Sequence, residues 1–256
     1  MSGNQISNPK IKALSPIWAL FRGFSLLFDN PGGGYTPSRA GLLKLDCLPN
    51  DSLELYTCLE NYTQKISMPQ MREEYHFCPL PFYSYHVTVW DGLNDSNSGE
   101  LQDDDRDMLV MYLENLPNLL HTLNKFTHNA YRSPLVQEAW NMRFKCTGLA
   151  KWANESLVAL LGACDQQTNA ALKRMINYRD ALNDRYSENF SISMWTSYFP
   201  HVTLGYFANQ ERAEKASLLI DEWNAMLLEV TAGIEIAFNE ISLYGFDDMV
   251  SYYKAP

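Results

Sequence analysis

The chain has 256 residues, 46% of them hydrophobic and 20% charged, with a formal net charge of −10. That composition excludes intrinsic disorder, the length supports a core without staples, and the acidic balance excludes coating of long DNA. Five scattered cysteines with no CxxC pair exclude zinc-ribbon and thioredoxin motifs and point to free thiols in the cytoplasm.

Ile17–Phe28 is apolar, but Arg22 interrupts it and a DNPGGGYTP loop follows. It reads as a packing helix or strand rather than a membrane segment, and no membrane partner is expected. Gly41–Leu45 reads as a short strand. Asp51 starts a helix, with Glu54 completing a capping-box pattern and Leu55, Leu59, Tyr62 and Ile66 as its apolar stripe. Tyr83–Trp90 is rich in β-branched and aromatic residues and reads as a strand. Asp103–Leu116 is a helix with acidic residues in its first turn, bent or ended by Pro117. Asn141–Leu149 and Glu155–Leu161 form a hairpin. Gln166–Tyr186 is a long helix, with Leu172, Met175, Ile176, Arg179 and Leu182 on one side. Ser193–Phe207 holds a second aromatic strand. Asn209 caps a helix over Glu211–Val230, and Glu235–Tyr244 with Met249–Lys254 closes the chain as a hairpin.

Two of these strands carry the same pattern, His86-Val87-Thr88-Val89 and His201-Val202-Thr203-Leu204, 115 residues apart. A single His-x-Thr is ordinarily a half-buried strand pair. With five His and eleven Thr in the chain, shuffling gives only about 0.2 matches, so two in strands of like character are informative. Strand alternation puts His86 and Thr88 on one face with Ser84 and Trp90. It puts His201 and Thr203 on one face with Phe199, Gly205 and Phe207. Two imidazoles and two hydroxyls at one cleft suit transfer at phosphorus. One neutral imidazole takes a proton from water, the other gives one to the leaving oxygen, and the hydroxyls donate to the non-bridging oxygens.

Paired H-x-T-apolar strands in this element order resemble the two-histidine (2H) phosphoesterase superfamily, which includes RNA ligase/cyclic phosphodiesterase-like proteins. The resemblance spans about 41–254. It implies an α+β, two-lobed fold with antiparallel sheets lining a central cleft and helices outside. It implies one bilobal domain, with 1–40 as an N-terminal extension and 94–139 as an insertion relative to compact members. It also implies that His86 and His201 are catalytic and that Thr88 and Thr203 bind phosphate.

Further candidates for substrate contact are Trp90, Phe199 and Phe207 as stacking surfaces, Arg143 and Lys145 as a local positive field, and Tyr35 beside the Gly32-Gly33-Gly34 loop. Arg39 and Lys44 are weaker anion contacts. His76 with Cys78 is only half of a metal site, and His121 and His128 read as solvated loop positions. The expectation is a metal-independent phosphodiesterase, needing no cofactor, that hydrolyses a small nucleotide or cyclic phosphodiester. The alternatives are a catalytically silent nucleotide-binding module and an enzyme acting on short RNA ends.

Overall fold

Runs of β-branched and aromatic residues build two antiparallel sheets. A computed structural model of the protein describes residues 6–15, 17–67, 70–116, 118–120, 122–152 and 155–256. The strands are β1 (Ile11–Ala13), β2 (Ile17–Trp18), β3 (Gly23–Phe28), β4 (Tyr35–Pro37), β5 (Leu43–Leu45), β6 (Phe77–Pro79) and β7 (Thr88–Asn94). They continue with β8 (Met142–Lys151), β9 (Ser156–Ala163), β10 (His201–Phe207), β11 (Glu235–Phe238), β12 (Ile241–Asp248) and β13 (Ser251–Lys254). One sheet has the order β11-β8-β9-β10-β6 and the other β4-β5-β13-β12-β3-β7, while β1 and β2 form a separate ribbon.

The helices are α1 (Glu54–Ser67), α2 (Gln70–Glu73), α3 (Asp103–Glu114), α4 (His128–Tyr131), α5 (Pro134–Gln137), α6 (Gln166–Phe190), α7 (Gln210–Ala216) and α8 (Ile220–Val230). Helices α1, α6 and α8 pack on the five-stranded sheet, and α4 and α5 on β12 of the other. The α1 stripe of Leu55, Leu59, Tyr62 and Ile66 is buried as its spacing predicts. Each lobe therefore contributes an antiparallel sheet, one carrying β7 and the other β10. This is the α+β, two-lobed arrangement that the paired motifs imply. No helix among the described residues is long and apolar enough to cross a membrane.

Ile17–Phe28 resolves into strands, and every residue of β3 is buried. β3 pairs with both β12 and β7, so the first forty residues supply an interior strand of the six-stranded sheet. The α1 cap is Asn50 rather than Asp51: its side chain accepts from Ser52 N at 2.9 Å, and a 3-10 turn at Asp51–Leu53 precedes the helix. Both motif strands start late in their aromatic segments. β7 begins at Thr88, after a 3-10 turn at Phe82–Ser84, and β10 begins at His201, after an irregular segment. Proline explains the first case, since Pro79 and Pro81 lead into that turn and neither has an N–H to extend a ladder. The expected helix over Glu211–Val230 is broken by a 3-10 turn at Ser217–Leu219, while Asn209 caps its start by accepting from Arg212 N at 2.9 Å. Within α8 the buried face carries Trp223 and Leu227, four residues apart, and Met226 is exposed. Glu235–Tyr244 is not one strand. β11 lies in the five-stranded sheet, and β12 crosses to the other and turns into β13. α3 ends at Glu114 with Asn115 as its C-cap, short of the expected Leu116, and Pro117 itself lies outside the described residues.

Candidate active site

The two motifs meet. Val87 and Val202 form an isolated antiparallel bridge between the first motif and the second. Antiparallel pairing about that bridge sets His86 across from Thr203 and Thr88 across from His201. Each imidazole thus faces the other strand's hydroxyl. The two valines are fully buried, while the His and Thr side chains are partly buried at the floor of a cleft of about 570 Å³.

The two histidines are held alike. His86 Nδ1 lies 2.8 Å from Ser84 O, and His201 Nδ1 lies 2.8 Å from Phe199 O. A carbonyl only accepts, so in the neutral ring Nδ1 carries the proton and Nε2 is left as the base. An aromatic ring braces each imidazole: Tyr252 at 4.3 Å from His86, and Trp152 at 4.2 Å from His201. Burial lowers the pKa of His86 to about 4, the Ser84 carbonyl opposing it and the His201 and Lys10 charges adding to it. Burial also lowers that of His201. There the Phe199 carbonyl and the Asp91 carboxylate work against the shift, and Lys10 adds to it.

Simple alternation fails beyond each threonine. Opposite β3, Thr88 pairs with Leu27 and Trp90 with Leu26, so Val89 is an extra residue. Opposite β9, Thr203 pairs with Val158 and Gly205 with Leu157, so Leu204 is an extra residue. Each bulge reverses the side-chain phase that follows it. Trp90 is therefore in the core: its Nε1 donates to Asn183 Oδ1 at 2.8 Å, and its ring lies 4.7 Å from that of Tyr186. Phe207 is also fully buried, against Phe77. Asp91 and Tyr206 line the cleft in their place. Ser84 is buried too, its hydroxyl donating to Pro81 O.

The other expected contacts divide. Phe199 is 61% exposed and lines a hollow beside the cleft, so it stays with the site. Arg143 does not; it pairs with Glu235 and lies near Asp165 on the exposed face of β8. Lys145 alternates with it on that face and is also absent from the cleft lining. Register places both residues opposite the edge strand β11, away from β10. Tyr35 is spent in a separate network with Tyr244, Asp29 and Lys254. The three glycines have φ between 76° and 101°, making a turn against 46–50 rather than a phosphate loop. Arg39 pairs with Asp247. His76 is buried, Cys78 Sγ faces Leu14 O, and His128 is exposed at the start of α4. His121 lies outside the described residues.

Several residues of the site escaped the sequence reading. Lys10 reaches the cleft because Ser7 and Asn8 bond to Ala208 O, directly after β10. Its ammonium sits 4.6 Å from the Tyr206 ring centroid and bears on both imidazoles. Nothing in its local sequence marks it. Arg179 had a signal, a charged residue within an apolar helical stripe.

No family model matches the sequence, and no curated protein matches it. Among solved structures, the conserved protein of unknown function ATU0111 from Agrobacterium tumefaciens str. C58 is similar over 96% of this chain and 88% of its own. The TM-score is 0.54 and the identity 14%. The chain shares that fold. E. coli LigT, solved in complex with 3′-AMP, covers 91% of this chain and 93% of its own at TM-score 0.42 and 14% identity. TT0787 of Thermus thermophilus covers the same shares at 0.41 and 13%.

Proposed function

We propose that this chain is a 2H phosphoesterase, a metal-independent phosphodiesterase that hydrolyses a small nucleotide or cyclic phosphodiester. The observation that carries this reading is the Val87–Val202 bridge, which sets two Nδ1-anchored imidazoles and two threonine hydroxyls around one opening.

The environments of the two histidines suggest a division of labour. His86 has burial, His201 and Lys10 all against its charged form, so it serves as the neutral base. His201 is lowered by burial too, but it alone has a carboxylate, Asp91, favouring its imidazolium, so we assign it the acid. Water attacks phosphorus and gives a proton to His86 Nε2. The bond from phosphorus to one ester oxygen breaks, and that oxygen takes the proton from His201. A cyclic diester thus becomes a monoester with one water added. Thr88 and Thr203 donate to the non-bridging oxygens, where charge builds in the transition state, and Lys10 supplies positive charge at the cleft.

The test is a hydrolysis panel in EDTA with 2′,3′-cyclic and 3′,5′-cyclic mononucleotides, a cyclic dinucleotide and a short RNA. Turnover of one class is expected, falling by about 10²–10⁴-fold in His86→Ala and in His201→Ala. Wild-type rates in either variant would overturn the two-imidazole reading.

A further inference from the structure

β7 is the edge strand of the six-stranded sheet, and its bulge at Val89 is held by side chains from outside the sheet. A bulge takes its extra residue out of the ladder, and an edge strand leaves backbone groups for other partners. Three consecutive residues find such partners here. Thr88 O accepts from Tyr198 OH at 3.1 Å, Val89 O accepts from Arg179 Nε at 2.5 Å, and Trp90 Nε1 donates to Asn183 Oδ1 at 2.8 Å. These are the threonine of the motif, the extra residue, and the residue that the bulge turns into the core. The second bulge is built otherwise. β10 lies between β9 and β6, and the carbonyl of its extra residue, Leu204, accepts from Leu80 N at 2.9 Å. A backbone donor serves there, whereas at Val89 the donor is one arginine side chain.

Arg179 and Asn183 are four residues apart on α6, so they lie one turn apart on the same face. Both are buried, Arg179 to 2% exposure and Asn183 to 5%. The guanidinium lies 4.4 Å over the Tyr198 ring, and Asn183 Nδ2 donates to Trp195 O at 3.2 Å, so α6 and the segment carrying Tyr198 brace each other. No carboxylate forms an ion pair with Arg179 among the described residues; Asp91 and Asp180 influence it only from further away. A buried guanidinium without an ion pair is costly, and an apolar residue would fill the same space at less cost. Its presence points to a task beyond packing, and the carbonyl it meets is that of the bulge.

We propose that Arg179, Asn183 and Tyr198 are positioning residues that hold the β7 bulge and so keep Asp91 aimed into the cleft beside His201. Without the extra residue, strand alternation would carry Trp90 to the cleft face and Asp91 away from it. The three side chains therefore act through Asp91. The inference rests on the hydrolytic reading above, in which Asp91 favours the imidazolium of the acid, His201.

The experiment follows the His201 imidazole by NMR titration, which needs no substrate. Removing a cation such as Arg179 would by itself raise the His201 pKa or leave it in place. If Arg179 acts by aiming Asp91, Arg179→Met should instead lower it by about 0.5 or more, in the same direction as Asp91→Asn. The fall should vanish when Arg179→Met is made in the Asp91→Asn protein, which has no carboxylate left to aim. The other titratable groups around Asp91 and His201 are Lys10, His86, Lys151, Glu155, Tyr206 and Tyr252, which are the same in both backgrounds. Where turnover is present, the alkaline limb of kcat/KM should move with the titration, with about threefold or more activity lost near neutrality. Arg179→Lys keeps a donor within reach of Val89 O and should stay near the wild-type value. Asn183→Ala and Tyr198→Phe should lower the value as Arg179→Met does. Tyr198→Phe removes a single hydroxyl, so it carries the same comparison if Arg179→Met does not fold. An unchanged or raised value in Arg179→Met, an equal fall in the Asp91→Asn background, or a fall in Arg179→Lys as large as in Arg179→Met would each overturn the proposal. Absence of turnover on every cyclic phosphate would overturn the hydrolytic reading alone, because the titrations report the aim of Asp91 without it.

Discussion

Val89 and Leu204 are matching extra residues, each inserted directly after the threonine of its motif. The consequence is also matched: the residue five positions after each histidine, Asp91 or Tyr206, turns into the cleft. A β-bulge beside a site re-aims a side chain, and here it happens once in each lobe. The two products differ in chemistry. Only the first lobe gains a carboxylate, and that carboxylate bears on the histidine of the second lobe.

Asp91→Asn tests that asymmetry. Asp91 holds up the imidazolium form of His201, so its loss lowers the pKa of His201 further. The alkaline limb of kcat/KM should move to lower pH, with about tenfold less activity near neutrality. The acid limb, which the proposed mechanism assigns to His86, should stay in place, because Asp91 is not among the groups acting on His86. A pH–rate profile over both limbs checks this. An alkaline limb that stays fixed would show that Asp91 does not poise His201.

His86 also makes a stability statement. Its folded-state value of about 4 lies below the usual value near 6.5 of an unfolded chain. Between those values the unfolded state binds the proton more readily. Stability is therefore fully present above about pH 6.5 and is lost as pH falls through about 4. Acidification from pH 7 to about 4.5 should lower the Tm of the wild type more than that of His86→Gln, which has no proton to take. Equal losses in the two proteins would remove His86 from the acid sensitivity.

Much of this site was legible in the sequence, for a physical reason. Histidine and threonine alternating with buried valines declare a two-faced strand, and that pattern located His86, Thr88, His201 and Thr203 on the cleft. The same alternation misplaced Trp90 and Phe207, because a bulge depends on the register of a partner strand and leaves no mark in composition. Arg143 and Lys145 do share a face, but strand order decides which face meets the other lobe, and β8 lies two strands from β10. Lys10 was invisible for a related reason. Its place depends on backbone hydrogen bonds from Ser7 and Asn8 to Ala208, some two hundred residues away.

The approach of β6 to β10 depends on Gly205. A Cβ there would lie 2.5 Å from both Cys78 O and the Phe77 ring, and backbone cannot yield as a flexible side chain can. Gly205→Ala should cost about 1–3 kcal/mol and lower Tm by roughly 5 °C. Because Gly205 lies just beyond the second bulge, activity measured well below the Tm should fall as well. A thermal melt reads the first effect, and an unchanged Tm would mean that the two strands separate at no cost.

Lys10 supplies the last prediction. Its ammonium touches aromatic rings and the Tyr206 hydroxyl, at 3.3 Å, but is not in an ion pair with any carboxylate among the described residues. A cation so placed at the cleft is open to an anionic ligand, and a charge-assisted contact to phosphate contributes about 1.5–3 kcal/mol. Lys10→Met should therefore weaken competitive inhibition by inorganic phosphate by about tenfold or more. It should also raise the pKa of both histidines, since Lys10 opposes their protonation. Imidazole titrations followed by NMR separate this electrostatic role from mere packing. If phosphate binding weakens while neither histidine moves, Lys10 acts by holding 7–10 against β10 rather than through its charge. If both histidines move upward, the N-terminal segment contributes to the proton chemistry of a cleft whose histidines lie far along the chain.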